Sequence, residues 1–121
     1  MDMQERKTIA QHIGQKGETM AAEWLWLKGF QIVAQNYRMG RYEIDLLCKE
    51  NAQWVFVEVK TRNGDLSALP ESAVGYQKRS KLTRAAQRFM KEEGIAMLPR
   101  LDIVAVSMHV GGSQMMYHRG K

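Results

Sequence analysis

Apolar residues recur along the chain at two different spacings. Over 15–28, Met20, Ala21, Trp24, Leu25 and Leu27 fall at helical spacing, and Gly29 supplies a stop. A first strand is expected over 30–38, with Gly40 marking a turn. Over 41–49, Tyr42, Ile44, Leu46 and Cys48 alternate with Arg41, Glu43, Asp45 and Leu47, the period of a half-buried strand. Residues 50–53 form a polar turn, and 54–62 a valine-rich third strand. Turns this short predict an antiparallel meander. Residues 63–70 read as a loop punctuated by Gly64 and Pro70. A second helix is expected over 76–93, ending at Gly94. Leu82, Ala85, Ala86, Phe89 and Met90 form its apolar stripe, with Lys81, Arg84, Arg88 and Lys91 across from it. Residues 101–108 make a β-branched strand, Gly111-Gly112 a turn, and 114–118 a short edge strand. The order αβββαββ predicts an α/β layer structure with a mixed sheet, in which the second helix lets the third and fourth strands run parallel. Trp24, Trp26, Phe89, Cys48 and most of the nine methionines read as core.

Composition narrows the class. The chain has 121 residues with no internal repeat or proline-rich linker, so a single domain over 1–121 is expected. Its core would span about 14–108, with a C-terminal hairpin or tail over 109–121. At 45% hydrophobic and 26% charged it can bury a core without staples. The lone cysteine, Cys48, excludes an internal disulfide. No consecutive apolar run exceeds four residues, too short for a membrane-spanning helix. Residues 1–14 are polar and charged, without the apolar stretch of a signal peptide. The expectation is a cytoplasmic protein with no membrane partner.

The charge is uneven. The segment from Lys78 to Arg100 carries seven basic residues against two acidic ones, an excess equal to the +5 of the whole chain. Such a local excess favours a polyanion such as nucleic acid, though a helix face kept soluble by lysine and arginine has the same composition.

The third strand carries the most chemistry. Val55, Val57 and Val59 share one face; Glu58, Lys60 and Arg62 share the other, spaced about 7 Å apart. On the second strand, Glu43 and Asp45 also share a face. If the turn at Asn51 pairs the two strands, Asp45 and Glu58 can share a divalent cation. Two carboxylates brought together repel each other, and one pKa rises unless a cation lies between them. Oxygen ligands select Mg²⁺ or Mn²⁺ rather than zinc. His12, His109 and His118 have no ligand-like spacing to one another or to Cys48. Lys60, beside such a cation, has three candidate roles: positioning a water, helping to deprotonate it, or stabilising charge on a phosphate.

The run Arg41-Tyr42-Glu43-Ile44-Asp45-Leu46-Leu47 followed by Val55-Phe56-Val57-Glu58-Val59-Lys60-Thr61-Arg62 resembles the PD-(D/E)XK nuclease signature. More narrowly it resembles the YraN family of uncharacterised bacterial proteins, which is similar to archaeal Holliday junction resolvases and restriction endonucleases. Gly17-Glu18, Asn36-Tyr37-Arg38, the stretch from Lys78 to Lys81 and Arg100-Leu101-Asp102 fit the same pattern, which covers about 14–106. The resemblance implies a restriction-endonuclease-like three-layer core and a Mg²⁺-dependent (or Mn²⁺-dependent) phosphodiesterase site. Asp45 and Glu58 would be metal ligands, the Val59 carbonyl a candidate third, Lys60 the catalytic lysine, and Glu18 the helix glutamate that completes the site. Gln77 would stand at the helix start near it. Tyr42 departs from the glycine usual before Glu-Ile-Asp, and the tail after Gly111 departs from the family ending.

Other residues keep two readings. Glu18 also suits the first turn of a helix. Glu43 either supports Asp45 from behind or pairs with Arg62. Arg38 and Arg62 either contact phosphate or neutralise the acidic cluster. Arg100 and Asp102 are candidates for a structural pair. Lys78, Lys81, Arg84 and Arg88 are the candidate contacts to a nucleic-acid backbone. The expected function is an endonuclease acting on DNA, at branched or single-stranded structures, in repair or recombination. By analogy with resolvases it would work as a homodimer. Its rival is a non-catalytic nucleic-acid-binding module on the same fold, and a third reading makes the acidic faces part of a protein-interaction scaffold.

Overall fold

The computed structural model describes residues 9–63 and 76–120, with side chains over 14–62 and 80–120. Its elements are α1 (Ile9–Leu27), β1 (Gln31–Met39), β2 (Tyr42–Glu50), β3 (Gln53–Asn63), α2 (Tyr76–Glu92), β4 (Arg100–His109) and β5 (Gly112–His118). The strands form one sheet in the order β1-β2-β3-β4-β5. β1, β2 and β3 are an antiparallel meander, β3 and β4 run parallel, and β5 returns antiparallel to β4. Element order and strand directions are those that the hydrophobic pattern predicts. Beyond Asn63, the loop expected over 63–70 lies outside the described residues.

Alternation on β3 separates two cores. Val55, Val57 and Val59 turn to one face and pack, with Leu46, Cys48, Val104 and Val106, against Ala21, Ala22 and Leu25 of α1. Phe56 turns to the other face and packs, with Ile44 and Leu47, against Leu82, Ala85, Ala86, Phe89 and Met90 of α2. The sheet thus lies between two helices, the three-layer arrangement implied by the nuclease resemblance. Phe89 fixes α2 in place: its ring centroid lies 5.8 Å from that of Tyr37, 5.1 Å from Trp54 and 5.6 Å from Phe56.

Both helices stop the same way. Gly29 and Gly94 take positive φ values of 97° and 67°. The amide of Gly29 donates to the Trp26 carbonyl and that of Phe30 to Leu25; Gly94 donates to Lys91 and Ile95 to Met90. This 5→2 and 6→1 pairing caps the last carbonyls, and its apolar partners, Phe30 with Leu25 and Ile95 with Met90, lie in the two cores.

Four details differ from the sequence reading. α1 starts at Ile9 rather than near Gln15, because the apolar stripe that signals it begins only further along. Trp26 and Leu27 are exposed, at 66% and 74%. Each stands two residues from an inward side chain (Trp24 or Leu25), about 200° around the helix. Ile44 does not share a face with Leu46 and Cys48 but packs on the α2 side. Arg100, counted above with the basic helix, starts β4 and is buried. Its guanidinium donates to both Asp102 carboxylate oxygens at 3.0 and 2.9 Å and to Glu50 at 2.7 Å.

Candidate functional site

β2 and β3 are paired from Glu50↔Gln53 only as far as Leu46↔Val57. Past that point the ladder ends, at the level of Asp45 on one strand and Glu58 on the other. A side chain takes over where backbone pairing stops: the Val59 amide donates to Asp45 Oδ2 at 2.9 Å. Asp45 and Glu58 are hydrogen-bonded to each other. On the other side of β2, Asn36 takes a φ of 51° between the pairs Gln35↔Leu46 and Tyr37↔Ile44. With one neighbour irregular and the other ladder ended, β2 turns between Ile44 and Leu46, which is why those residues face opposite layers.

Glu18 approaches from α1. A Cβ at Gly17 would run into the Thr61 side chain, so only glycine lets the helix come this close to β3. The next residue, Glu18, adds its negative charge to the surroundings of Asp45.

The electrostatic consequence is large. Burial, and then repulsion from Glu58, push the Asp45 carboxyl from an ordinary 3.8 up to about 7; the Val59 amide pulls it down, while Glu18 and the hydrogen bond with Glu58 add to the rise. Glu58 itself is 5% exposed.

A cavity of about 330 Å³ opens over the two carboxylates. Arg41 enters it from the β1–β2 turn, Tyr42 and Glu43 from the start of β2, and Lys81 and Leu82 from α2. Arg41, Tyr42 and Leu82 were not among the site residues expected from sequence. Their adjacency depends on that turn facing α2, and its one local signal is the Arg41-Tyr42 step directly ahead of Glu43.

The structure brings together Asp45, Glu58 and Glu18 as expected, with Lys81 at the same cavity. Lys60 lies half-buried two residues beyond Glu58 and outside the cavity lining. Arg62 is exposed, and Glu43 pairs with Arg38 at 3.6 Å rather than with Arg62. Arg84 and Arg88 are exposed on α2, Arg88 paired to Glu92 at 2.9 Å. The side chains of Gln77 and Lys78 lie outside the described residues. The Val59 amide donates to Asp45, because the end of the β2–β3 ladder leaves that amide to it. Cys48 is a core thiol, pushed up to about 12 by burial and by the charge of Asp102.

Among the described residues, no group of three or more His, Cys, Asp or Glu side chains is placed to hold a metal ion together. The two-carboxylate set still fits Mg²⁺ or Mn²⁺. Such hard cations take one or two protein carboxylates and keep water in their other positions. Burial comes first in raising the Asp45 carboxyl, but repulsion from Glu58 and Glu18 adds to it, and that part a cation would relieve. No described helix is long and apolar enough to cross a membrane.

Residues 17–106 match the model of the uncharacterised protein family UPF0102. UPF0102 protein LI0223 of Lawsonia intracellularis is 39% identical over 95 residues, covering 78% of this chain and 72% of the relative. A UPF0102 protein of Natranaerobius thermophilus is 42% identical over 96 residues, covering 77% and 81%. A UPF0102 protein of Syntrophus aciditrophicus is 36% identical over 108 residues, covering 88% and 85%. The structure of Pyrococcus furiosus SfsA in complex with Ca²⁺ aligns at 17% identity with a TM-score of 0.44, over 91% of this chain and 63% of that one.

Proposed function

The chain belongs to the UPF0102 family, and on that premise we propose that it is a metal-dependent endonuclease hydrolysing phosphodiester bonds in DNA. One observation carries the reading: two carboxylates are hydrogen-bonded inside a cavity, with the Asp45 carboxyl raised to about 7. A pair held at that electrostatic cost is poorly explained by stability alone, and perturbed groups of this kind gather at functional sites.

In this reading Asp45 and Glu58 hold Mg²⁺ or Mn²⁺, which supplies Lewis-acid stabilisation of the charge developing on the phosphate. Glu18 strengthens the negative field that draws the cation in. Lys60 orients the attacking water or donates to a phosphate oxygen. Lys81 and Arg41 hold phosphate groups at the cavity mouth, and Arg84 and Arg88 extend that contact along α2, with Lys78 and Gln77 earlier on the same helix. Glu43 engages Arg38, so Arg38 and Arg62 remain outer contacts to the backbone. Branched or single-stranded DNA is the substrate class, in repair or recombination, with a homodimer as the working form and the cytoplasm as its place.

The exposed cationic face of α2 favours a second reading, a non-catalytic nucleic-acid-binding module, because that face does not depend on the carboxylates. A cleavage assay separates the two. Linear, single-stranded, flap and four-way-junction DNA, with RNA alongside, are incubated with Mg²⁺, Mn²⁺ or EDTA. The expected result is cleavage by the wild type that is lost in EDTA, in Asp45→Asn and in Lys60→Ala purified identically. Binding without cleavage in any metal selects the second reading, and equal cleavage by all three proteins identifies a contaminant.

A further inference from the structure

The lining of the cavity bears on which DNA can use it. Glu58 is 5% exposed, so a scissile phosphate must enter the cavity to reach the carboxylates. At about 330 Å³ the cavity is at the small end of ligand sites, which run from about 300 to 1,000 Å³. That is room for a nucleotide inside the cavity, whereas a duplex would have to lie across its mouth. The lining is also mixed. Arg41 and Lys81 are cationic, while Tyr42 and Leu82 offer an aromatic ring and an apolar branch. A nucleotide has the complementary halves, an anionic phosphate and a flat base.

Tyr42 is suited to the base. It starts β2 opposite Met39, so the β1–β2 ladder holds its backbone. Its side chain is half-buried and packs against the α2 core, which limits its motion. A ring held this way presents a ready surface at little entropic cost, and stacking on it tolerates any base. Resting on the nuclease reading above, we propose that the cavity takes a single unpaired nucleotide whose base stacks on Tyr42, so that the site selects single-stranded or extrahelical DNA over a continuous duplex.

The test reads binding, so it does not depend on cleavage. Three oligonucleotides of one sequence are compared: single-stranded, fully paired, and paired with one unpaired nucleotide. The unpaired position carries 2-aminopurine, and titrations run in Ca²⁺ and in EDTA. The wild type is expected to bind the two unpaired forms at least about tenfold more tightly than the duplex and to quench the probe. Tyr42→Ala is expected to lose about tenfold to a hundredfold of that affinity together with the quenching, while Tyr42→Phe keeps both. Tyr42→Leu, which preserves apolar bulk against α2, replaces the alanine variant if that one fails to fold. Equal affinity for duplex, or quenching and affinity that survive loss of the ring, overturns the proposal. Parallel cleavage in Mn²⁺ keeps the two readings apart. Asp45-dependent cutting of duplex and single strand alike leaves the nuclease reading standing without this one. Selective, Tyr42-dependent binding without cutting does the reverse, and no binding to any oligonucleotide removes both.

Discussion

Two carboxylate clusters are built into this sheet, and they are held in opposite ways. Asp102 is fully buried, yet it accepts from Arg100 Nε at 3.0 Å, from Arg100 Nη2 at 2.9 Å and from the Gly120 amide at 2.8 Å, and the Tyr117 hydroxyl donates to it as well. Glu50 closes the network, 2.7 Å from Arg100 and 3.0 Å from Arg119. Burial opposes the charge on Arg100, but hydrogen bonds to Asp102 and Glu50 outweigh it and hold the guanidinium above its usual range. Asp45 is less buried, and its neighbours Glu58 and Glu18 carry its own sign. Burial opposes the charge on a carboxylate, and the sign of its neighbours decides whether that cost is offset, as at Asp102, or enlarged, as at Asp45. The first cluster ties β5 and the residues after it to the start of β4. The second joins β2 to β3 where their ladder ends, through the Val59 amide and Asp45, and gathers like charge that a cation would relieve.

Breaking the paired cluster has the largest expected effect. Asp102→Asn leaves the Arg100 charge buried without its full partner and should cost about 3–5 kcal/mol in denaturant unfolding. A loss below about 1 kcal/mol would erase the contrast between the clusters.

Next is the pH dependence of the metal-free protein. The folded Asp45 carboxyl is raised to about 7 against an ordinary 3.8. Its favourable contribution is thus complete below about pH 4 and is lost as pH rises through 7. Unfolding midpoints in EDTA at pH 5, 6, 7 and 8 should show Asp45→Asn gaining on the wild type at each step. A constant difference would mean that the carboxyl is not raised.

Smaller still is Tyr117→Phe. It removes the hydroxyl that donates to Asp102 while keeping the ring against Trp24 and Phe30, at centroid distances of 5.3 and 6.2 Å. The expected cost is about 1–3 kcal/mol, read by thermal or denaturant unfolding, with no change in metal binding.

Much of this was visible in the sequence because it is local. Alternation over Val55 to Val59 is a property of neighbouring residues, as are the glycines that end both helices, and both behave as their pattern says. Asp45 and Glu58 were legible for the same reason, since a short turn joins their strands. What escaped depends on tertiary placement. The Arg100–Asp102 pair is legible because the two stand two residues apart on one strand, whereas Glu50, the partner that completes the burial of Arg100, reaches it only once β2 and β4 flank β3 in one sheet. Ile44 turns to the α2 layer against its alternation because strict alternation assumes ladders on both edges, and the β2–β3 ladder stops at Leu46. Arg41, Tyr42 and Leu82 are separated by a strand pair and a crossover, so no spacing rule joins them.

The most direct test of the central claim is a calorimetric titration of the purified protein with Mn²⁺ at pH 8. Wild type and Tyr117→Phe should each bind a cation in the cavity, while Asp45→Asn and Glu58→Gln, folded to the same extent, should lose that binding. Equal binding by all four proteins, or none by the wild type, would contradict the assignment of the like-charged cluster as a cation site.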